Sequence, residues 1–217
     1  MKVLTDMKAY YGRRAEEYEQ VYAKPERQAD LAGLRLRVAE LCAGRAVYEV
    51  ACGTGYWTQF VAEAAQAVFA TDVNDAVLKL ARRKPVPAGR VTFARADAFD
   101  PPVCHFAADT GLAAFWWSHL RAEESGRFVV RFLARLRPGA RVVLLDNRYV
   151  EGSSTPISRT DEAGNTYQRR RLADGSEHEV LKNFPDETAL RRVLAPHLRS
   201  LSWEPRDHYW LAWGEAR

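Results

Sequence analysis

The chain has 217 residues, 47% of them hydrophobic, enough for one α/β domain with a full core. Its net charge of +4 is only mildly basic, so it gives no strong nucleic-acid footprint while leaving room for a small anionic ligand. Cys42, Cys52 and Cys104 have neither metal-ligand nor disulfide spacing, which points to no metal site and to a reducing cytoplasm.

The first eleven residues, M-K-V-L-T-D-M-K-A-Y-Y, lack an apolar run of signal-peptide length, and Met7 is a second candidate start. No segment is long and apolar enough to span a membrane. Residues 7–24 read as an amphipathic helix that sets Tyr11, Tyr18 and Tyr22 on or near one face. Pro25 opens a second helix over 26–42, with Leu31, Leu34, Val38 and Leu41 at helical spacing. Together, 7–42 form an N-terminal helical cap. A strand is expected at 46–51, a helix from Trp57 to Ala65, a strand at 67–72 and a helix over 75–84. Strands follow at 91–94 and 109–117, then a helix over 123–136 closed by R-P-G at 137–139. Arg141–Asp146 holds four consecutive apolar residues, as a strand covered on both faces requires. This alternation indicates a doubly wound parallel sheet in a single domain, 1–217.

Residues 147–184 break the rhythm. They are polar and rich in Arg, Gly, Ser and Thr, and a structureless loop of that length is unusual unless it has a function. They read as an inserted lid over the acceptor site, with a β-hairpin turning at Asp174-Gly175. A helix at 186–195 and two antiparallel strands within 198–215 complete the chain.

Val47–Thr58, V-Y-E-V-A-C-G-T-G-Y-W-T, carries the most functional information. It reads as a buried strand, a glycine turn and a helix N-terminus. Two cofactor classes use that geometry, dinucleotides and S-adenosylmethionine. The dinucleotide pattern G-x-G-x-x-G wants a third glycine, and Thr58 stands in its place.

The ordered set is more specific. E-V-A-C-G-T-G-Y is followed by Asp72 after the second strand, Asp97-Ala98-Phe99 after the third and F-W-W-S-H after the fourth. This set resembles the class I S-adenosylmethionine-dependent methyltransferases, in their small-molecule, type 11/12-like branch. The resemblance covers residues 9–146 well and implies a Rossmann-like, seven-stranded, mostly parallel sheet with an antiparallel C-terminal strand and helices on both faces. It implies S-adenosyl-L-methionine as cofactor and S-adenosyl-L-homocysteine as product. Ala51, Gly53 and Gly55 would approach the methionine portion, and Glu49 would lie near its ammonium group. Asp72 would accept from both ribose hydroxyls, and Val73 would pack on adenine. Asp97 would accept from the adenine amine, with Ala98 and Phe99 bordering the ring. Phe115 and Trp116 would line the methionine side, while Tyr11 and Tyr18 would help cover the cofactor.

Methyl transfer from a sulfonium asks the protein mainly to align the acceptor and exclude water. His119, at the exit of the fourth strand, is the candidate base, with a structural hydrogen-bonding role as the alternative. Asn147, Arg148 and Tyr149, together with Arg170 of the Arg-rich insertion, are the candidate acceptor contacts. The acceptor is then a small molecule, anionic or aromatic, and the enzyme a cytoplasmic monomer or homodimer. A nucleic-acid or protein methyltransferase is the runner-up. It lacks support because no N/D-P-P-Y/F signature and no basic, aromatic-laced extra domain is present. A catalytically silent S-adenosylmethionine-binding module and a nicotinamide-dependent oxidoreductase are the remaining alternatives.

Overall fold

A computed structural model describes residues 6–217. The expectations about a leader and about the translation start rest partly on residues 1–5, outside the described residues.

The sheet has seven strands in the order β3-β2-β1-β4-β5-β10-β9. They are β1 (Ala46–Val50), β2 (Ala67–Asp72), β3 (Val91–Arg95), β4 (Ala108–Ala114), β5 (Leu136–Asn147), β9 (Leu198–Pro205) and β10 (Tyr209–Ala216). β1 pairs in parallel with β2 and β4, β2 with β3, and β4 with β5. β10 runs antiparallel between β5 and β9. This is the mostly parallel, Rossmann-like sheet that the motif order implied.

Alternation along each strand sends residues to two cores. Val47, Val143, Leu145 and Leu211 face the helices α2 (Gln28–Cys42), α3 (Tyr56–Ala64) and α4 (Asp75–Ala81). Tyr48, Val50, Val142, Leu144 and Trp210 face α5 (Ser125–Leu133) and α6 (Glu187–Leu194). The four apolar residues of β5 are buried because both faces are covered.

Three elements differ from expectation. The helix over 7–24 is a short α1 (Met7–Arg13) followed by a 3₁₀ stretch, Ala15–Tyr22. Gly12 sits in the last turn of α1, where a Cβ would come within 2.9 Å of the Asn74 side chain. Glycine there permits close packing on α4 and weakens the helix. R-P-G at 137–139 does not close a helix but lies inside β5, beside a register shift opposite β4, where a proline is tolerated. The strand expected to reach Trp117 ends at Ala114, because Phe115 turns into the left-handed region at φ 59.

The insertion forms a separate three-stranded antiparallel sheet: β6 (Ile157–Thr160), β7 (Thr166–Arg171) and β8 (Glu177–Leu181). β7 and β8 make the hairpin expected at Asp174-Gly175. Gly175 adopts φ 81, and Asp174 Oδ1 accepts from the Ser176 amide at 2.8 Å. β6 adds a third strand that the sequence reading did not separate.

Candidate active site

The parallel strands β1, β2 and β4 end along one edge of the sheet, where doubly wound folds place their ligands. A cavity of about 320 Å³ opens there. After β1, Ala51 adopts φ 52 and Gly53 φ 57, and both residues line the cavity. A Cβ added at Gly53 would meet nothing within 4 Å, which leaves open space for a ligand against the backbone. Asp72, at the end of β2, accepts from the Gly53 amide at 3.0 Å and from the Asn74 amide at 2.8 Å. These bonds fix its carboxylate at the wall, and burial raises its pKa. Val73 and Asp97 continue the wall, and Phe115 and Trp116 close it below β4. Tyr11, Tyr18 and His119 complete it from the cap and the β4 exit.

A second cavity, of about 380 Å³, adjoins the first. Tyr11, Tyr18, Phe115 and His119 line both, so they form a common wall. The second cavity is lined by basic side chains. The cap contributes Arg14, Lys24 and Arg27; the insertion contributes Arg169, Arg170 and Arg171; Lys182 follows β8. Among the described residues, Glu17 is the one carboxylate lining it.

Comparison with known proteins decides what this pair of cavities belongs to. Residues 47–139 match the family model described as a methyltransferase domain. An uncharacterized methyltransferase from Anoxybacillus flavithermus (strain DSM 21510 / WK1) is 24% identical over 171 residues, covering 77% of this chain and 76% of its own. A solved structure described as a DhpI–SAH complex superposes with a TM-score of 0.76 at 26% identity, covering 96% of this chain and 94% of its own. A DhpI–SAM–HEP complex gives 0.75 at 26% identity and 94% of each chain. The matched domain, the relative and the two solved structures together support a class I S-adenosylmethionine-dependent methyltransferase. That family takes S-adenosyl-L-methionine as its methyl donor. The first cavity of this methyltransferase fits that molecule, with a fixed carboxylate at Asp72 for hydroxyl donors and an open backbone at Gly53.

The structure brings most of the expected cofactor residues of the methyltransferase to one cavity: Tyr11, Tyr18, Ala51, Gly53, Asp72, Val73, Asp97, Phe115 and Trp116, together with His119. Four expected contacts do not line it. Glu49 is 1% exposed inside β1, where Thr58 Oγ1 donates to its carboxylate at 2.7 Å. Burial raises its pKa to about 8. Gly55 packs on α4; a Cβ there would stand 3.1 Å from Ala81 Cα. Ala98 and Phe99 turn into the core beneath α5. On the acceptor side, Asn147 and Arg170 line the second cavity, whereas Arg148 and Tyr149 do not. Beyond Asn147 the chain leaves the sheet edge: the Arg148 guanidinium donates to the Arg206 carbonyl, and Tyr149 packs on Phe184.

Sequence reasoning missed Arg14, Lys24, Arg27 and Lys182. For Lys182 a signal existed. In E-H-E-V-L-K-N the period of two puts Lys182 on the face of His178 and Val180, and all three are buried. A lysine on a buried face asks for a partner. Lys182 Nζ donates to Ser118 Oγ at 2.6 Å and to Asp146 Oδ1 at 3.2 Å. Asp146 also accepts from the Ser118 amide, the Asn147 amide and Asn147 Nδ2. Burial lowers the Lys182 pKa to about 8. Burial pushes Asp146 upward, but the Lys182 ammonium and the amide donors outweigh it and hold the carboxyl below its ordinary range.

His119 is bonded at both ring nitrogens. Nδ1 lies 2.8 Å from the Leu181 carbonyl, which can only accept, so Nδ1 carries the proton. Nε2 is then the acceptor and takes the Tyr11 hydroxyl at 2.8 Å. Burial, then the charge of Lys182, lowers the His119 pKa to about 3. The ring is neutral at physiological pH.

Proposed function

We propose that this methyltransferase transfers a methyl group to a small anionic acceptor held in the basic cavity. The observation that carries this reading is the common wall of Tyr11, Tyr18, Phe115 and His119, with cationic side chains from three segments beyond it. A cavity of about 380 Å³ suits a metabolite. Arginine forks match carboxylate or phosphate oxygens.

In this reading Asp72 receives the ribose hydroxyls, Asp97 the adenine amine, and Val73 packs on the ring. Ala51 and Gly53 meet the methionine portion with bare backbone. When bound, S-adenosyl-L-methionine supplies a methyl group already activated on a sulfonium. The protein then orients and dehydrates the acceptor, and Tyr11 and Tyr18 screen the common wall from water. The insertion 147–184 acts as the lid of the acceptor site, with Arg170 as its principal charge. Asn147 adds a polar contact at the exit of β5.

A panel of benzoate, phenylphosphonate and 4-hydroxybenzoate tests the reading through Arg170→Glu. The variant is expected to raise the KM of an accepted acid at least tenfold and to leave S-adenosylmethionine affinity unchanged. Arg148→Glu, outside the cavity, is expected to change neither. Unaltered acid saturation in Arg170→Glu would end the proposal.

A further inference from the structure

We infer that the acceptor atom is an oxygen already ionised at neutral pH, so that the enzyme converts an acid into its methyl ester with no proton abstracted. The inference rests on the anionic-acceptor reading and narrows it: the charge that docks is the nucleophile itself.

The first argument is the state of the titratable groups on and behind the common wall, the place where an acceptor atom must meet the methyl group. His119 has no free lone pair, because Nδ1–H is spent on Leu181 and Nε2 on Tyr11. The Asp146 carboxylate is 0% exposed and accepts four protein donors. Lys182 is its ion-pair partner and holds Ser118 as well. Tyr11 and Tyr18 have phenols driven upward by burial, so neither ionises near neutrality. Glu17 lines the basic cavity only and is absent from the common wall. Asp72 and Asp97 line the first cavity alone, so among the described residues an alcohol or protonated amine placed at the common wall meets no wall group free to receive its proton.

The second argument is electrostatic. Arg14 packs over the Tyr18 ring at 5.5 Å, on the common wall. Arg170 has a buried Nε with no hydrogen-bond partner, while its Nη2 holds Gln168 at 2.6 Å. Lys182 stands behind His119 through Ser118. These cations sit beside the place where a sulfonium must also be accommodated, and an anion between them relieves the repulsion.

The step balances without a base. An oxyanion lone pair forms the new O–C bond to the methyl carbon. The C–S bond breaks, its electron pair stays on sulfur, and the acceptor and the cofactor each lose one unit of charge. The product carries one negative charge fewer than the acid, which weakens its hold on Arg170 and favours release.

4-Hydroxybenzoate separates this inference from the broader one, because it carries both an ionised carboxylate and a phenol. Wild-type enzyme would be run with S-adenosylmethionine and benzoate, phenylphosphonate, 4-hydroxybenzoate, phenol or benzylamine. Products would be identified by mass and NMR, with protons counted by indicator dye in weak buffer. The expected result is turnover of at least one acid with a methyl ester as product and, where that acid is a carboxylate, no proton released per S-adenosylhomocysteine formed. Benzoate against phenylphosphonate tells which oxyacid is taken. Calorimetry on the S-adenosylhomocysteine complex gives a readout free of turnover: the accepted acid is expected to bind at least tenfold more tightly than its methyl ester. Methylation of the phenol of 4-hydroxybenzoate with one proton released would overturn the inference and keep the anionic acceptor. Turnover of phenol or benzylamine alone, or of no acid, would overturn both.

Discussion

Glu49 is a carboxyl in the centre of a parallel sheet, with a single side-chain donor, Thr58. Its pKa near 8 exceeds that of an unfolded glutamate, so the folded state binds this proton more tightly. The stability it contributes is complete at acid pH and is lost as pH rises toward 8. His119 works the other way: its lowered pKa costs stability only below about pH 6.5, where the unfolded ring takes a proton. Lys182, lowered to about 8, favours the folded state progressively above that value. Between pH 6.5 and 8 the Glu49 effect therefore stands alone among these three. Urea titrations of the cofactor-free enzyme across that window are expected to show stability falling by on the order of 1–2 kcal/mol. Glu49→Gln is expected to flatten the slope; an unchanged slope would put the proton elsewhere. Asp72 makes the complementary prediction for binding. Asp72→Ala removes the acceptor fixed by Gly53 and Asn74, and is expected to cost about 1–3 kcal/mol of S-adenosylmethionine affinity by calorimetry.

At the scale of elements, the turn between β1 and α3 uses its two glycines differently. Both have positive φ, but only Gly53 faces the cavity. Gly55 stands at the N-cap of α3, against Ala81 of α4. Gly55→Ala is expected to destabilise the fold by more than 1 kcal/mol, because strain adds to a clash with backbone. Gly53→Ala meets open space, so its larger effect is expected on cofactor affinity; thermal melts and calorimetry on both variants separate the two roles. The insertion is held from below. Arg27 donates to Ser153 Oγ at 2.9 Å and to its carbonyl at 3.0 Å, and Lys24 reaches the same carbonyl. Arg27→Ala is expected to speed amide exchange over 150–155 and to leave exchange in β1 and β4 unchanged. Element types were legible wherever periodicity was strong, as in α2 and β5. The R-P-G of β5 and the 3₁₀ stretch after α1 were not, because tertiary packing overrides local propensity there.

For the whole molecule, the first cavity was legible because its lining residues follow strand ends in sequence order: Gly53 after β1, Asp72 at the end of β2, Asp97 after β3, Phe115 after β4. Each is set by a local turn. The second cavity obeys no such rule. Arg14 and Lys182 lie 168 positions apart, and only the docking of the cap against the inserted sheet brings both to one cavity. No spacing rule connects them, so the sequence reading named Arg148 and Tyr149, which do not line this cavity, and did not name Arg14, Arg27 and Lys182, which do. The absence of membrane-crossing length holds for every helix among the described residues.

The central claim is that a cofactor cavity and a basic acceptor cavity share the wall of Tyr11, Tyr18, Phe115 and His119. A crystal structure with S-adenosyl-L-homocysteine tests it most directly. The account predicts the ribose at Asp72, the adenine beside Val73 and Asp97, and the sulfur at the common wall facing Arg170. A sulfur directed away from that wall, or a cofactor seated outside the first cavity, would contradict it.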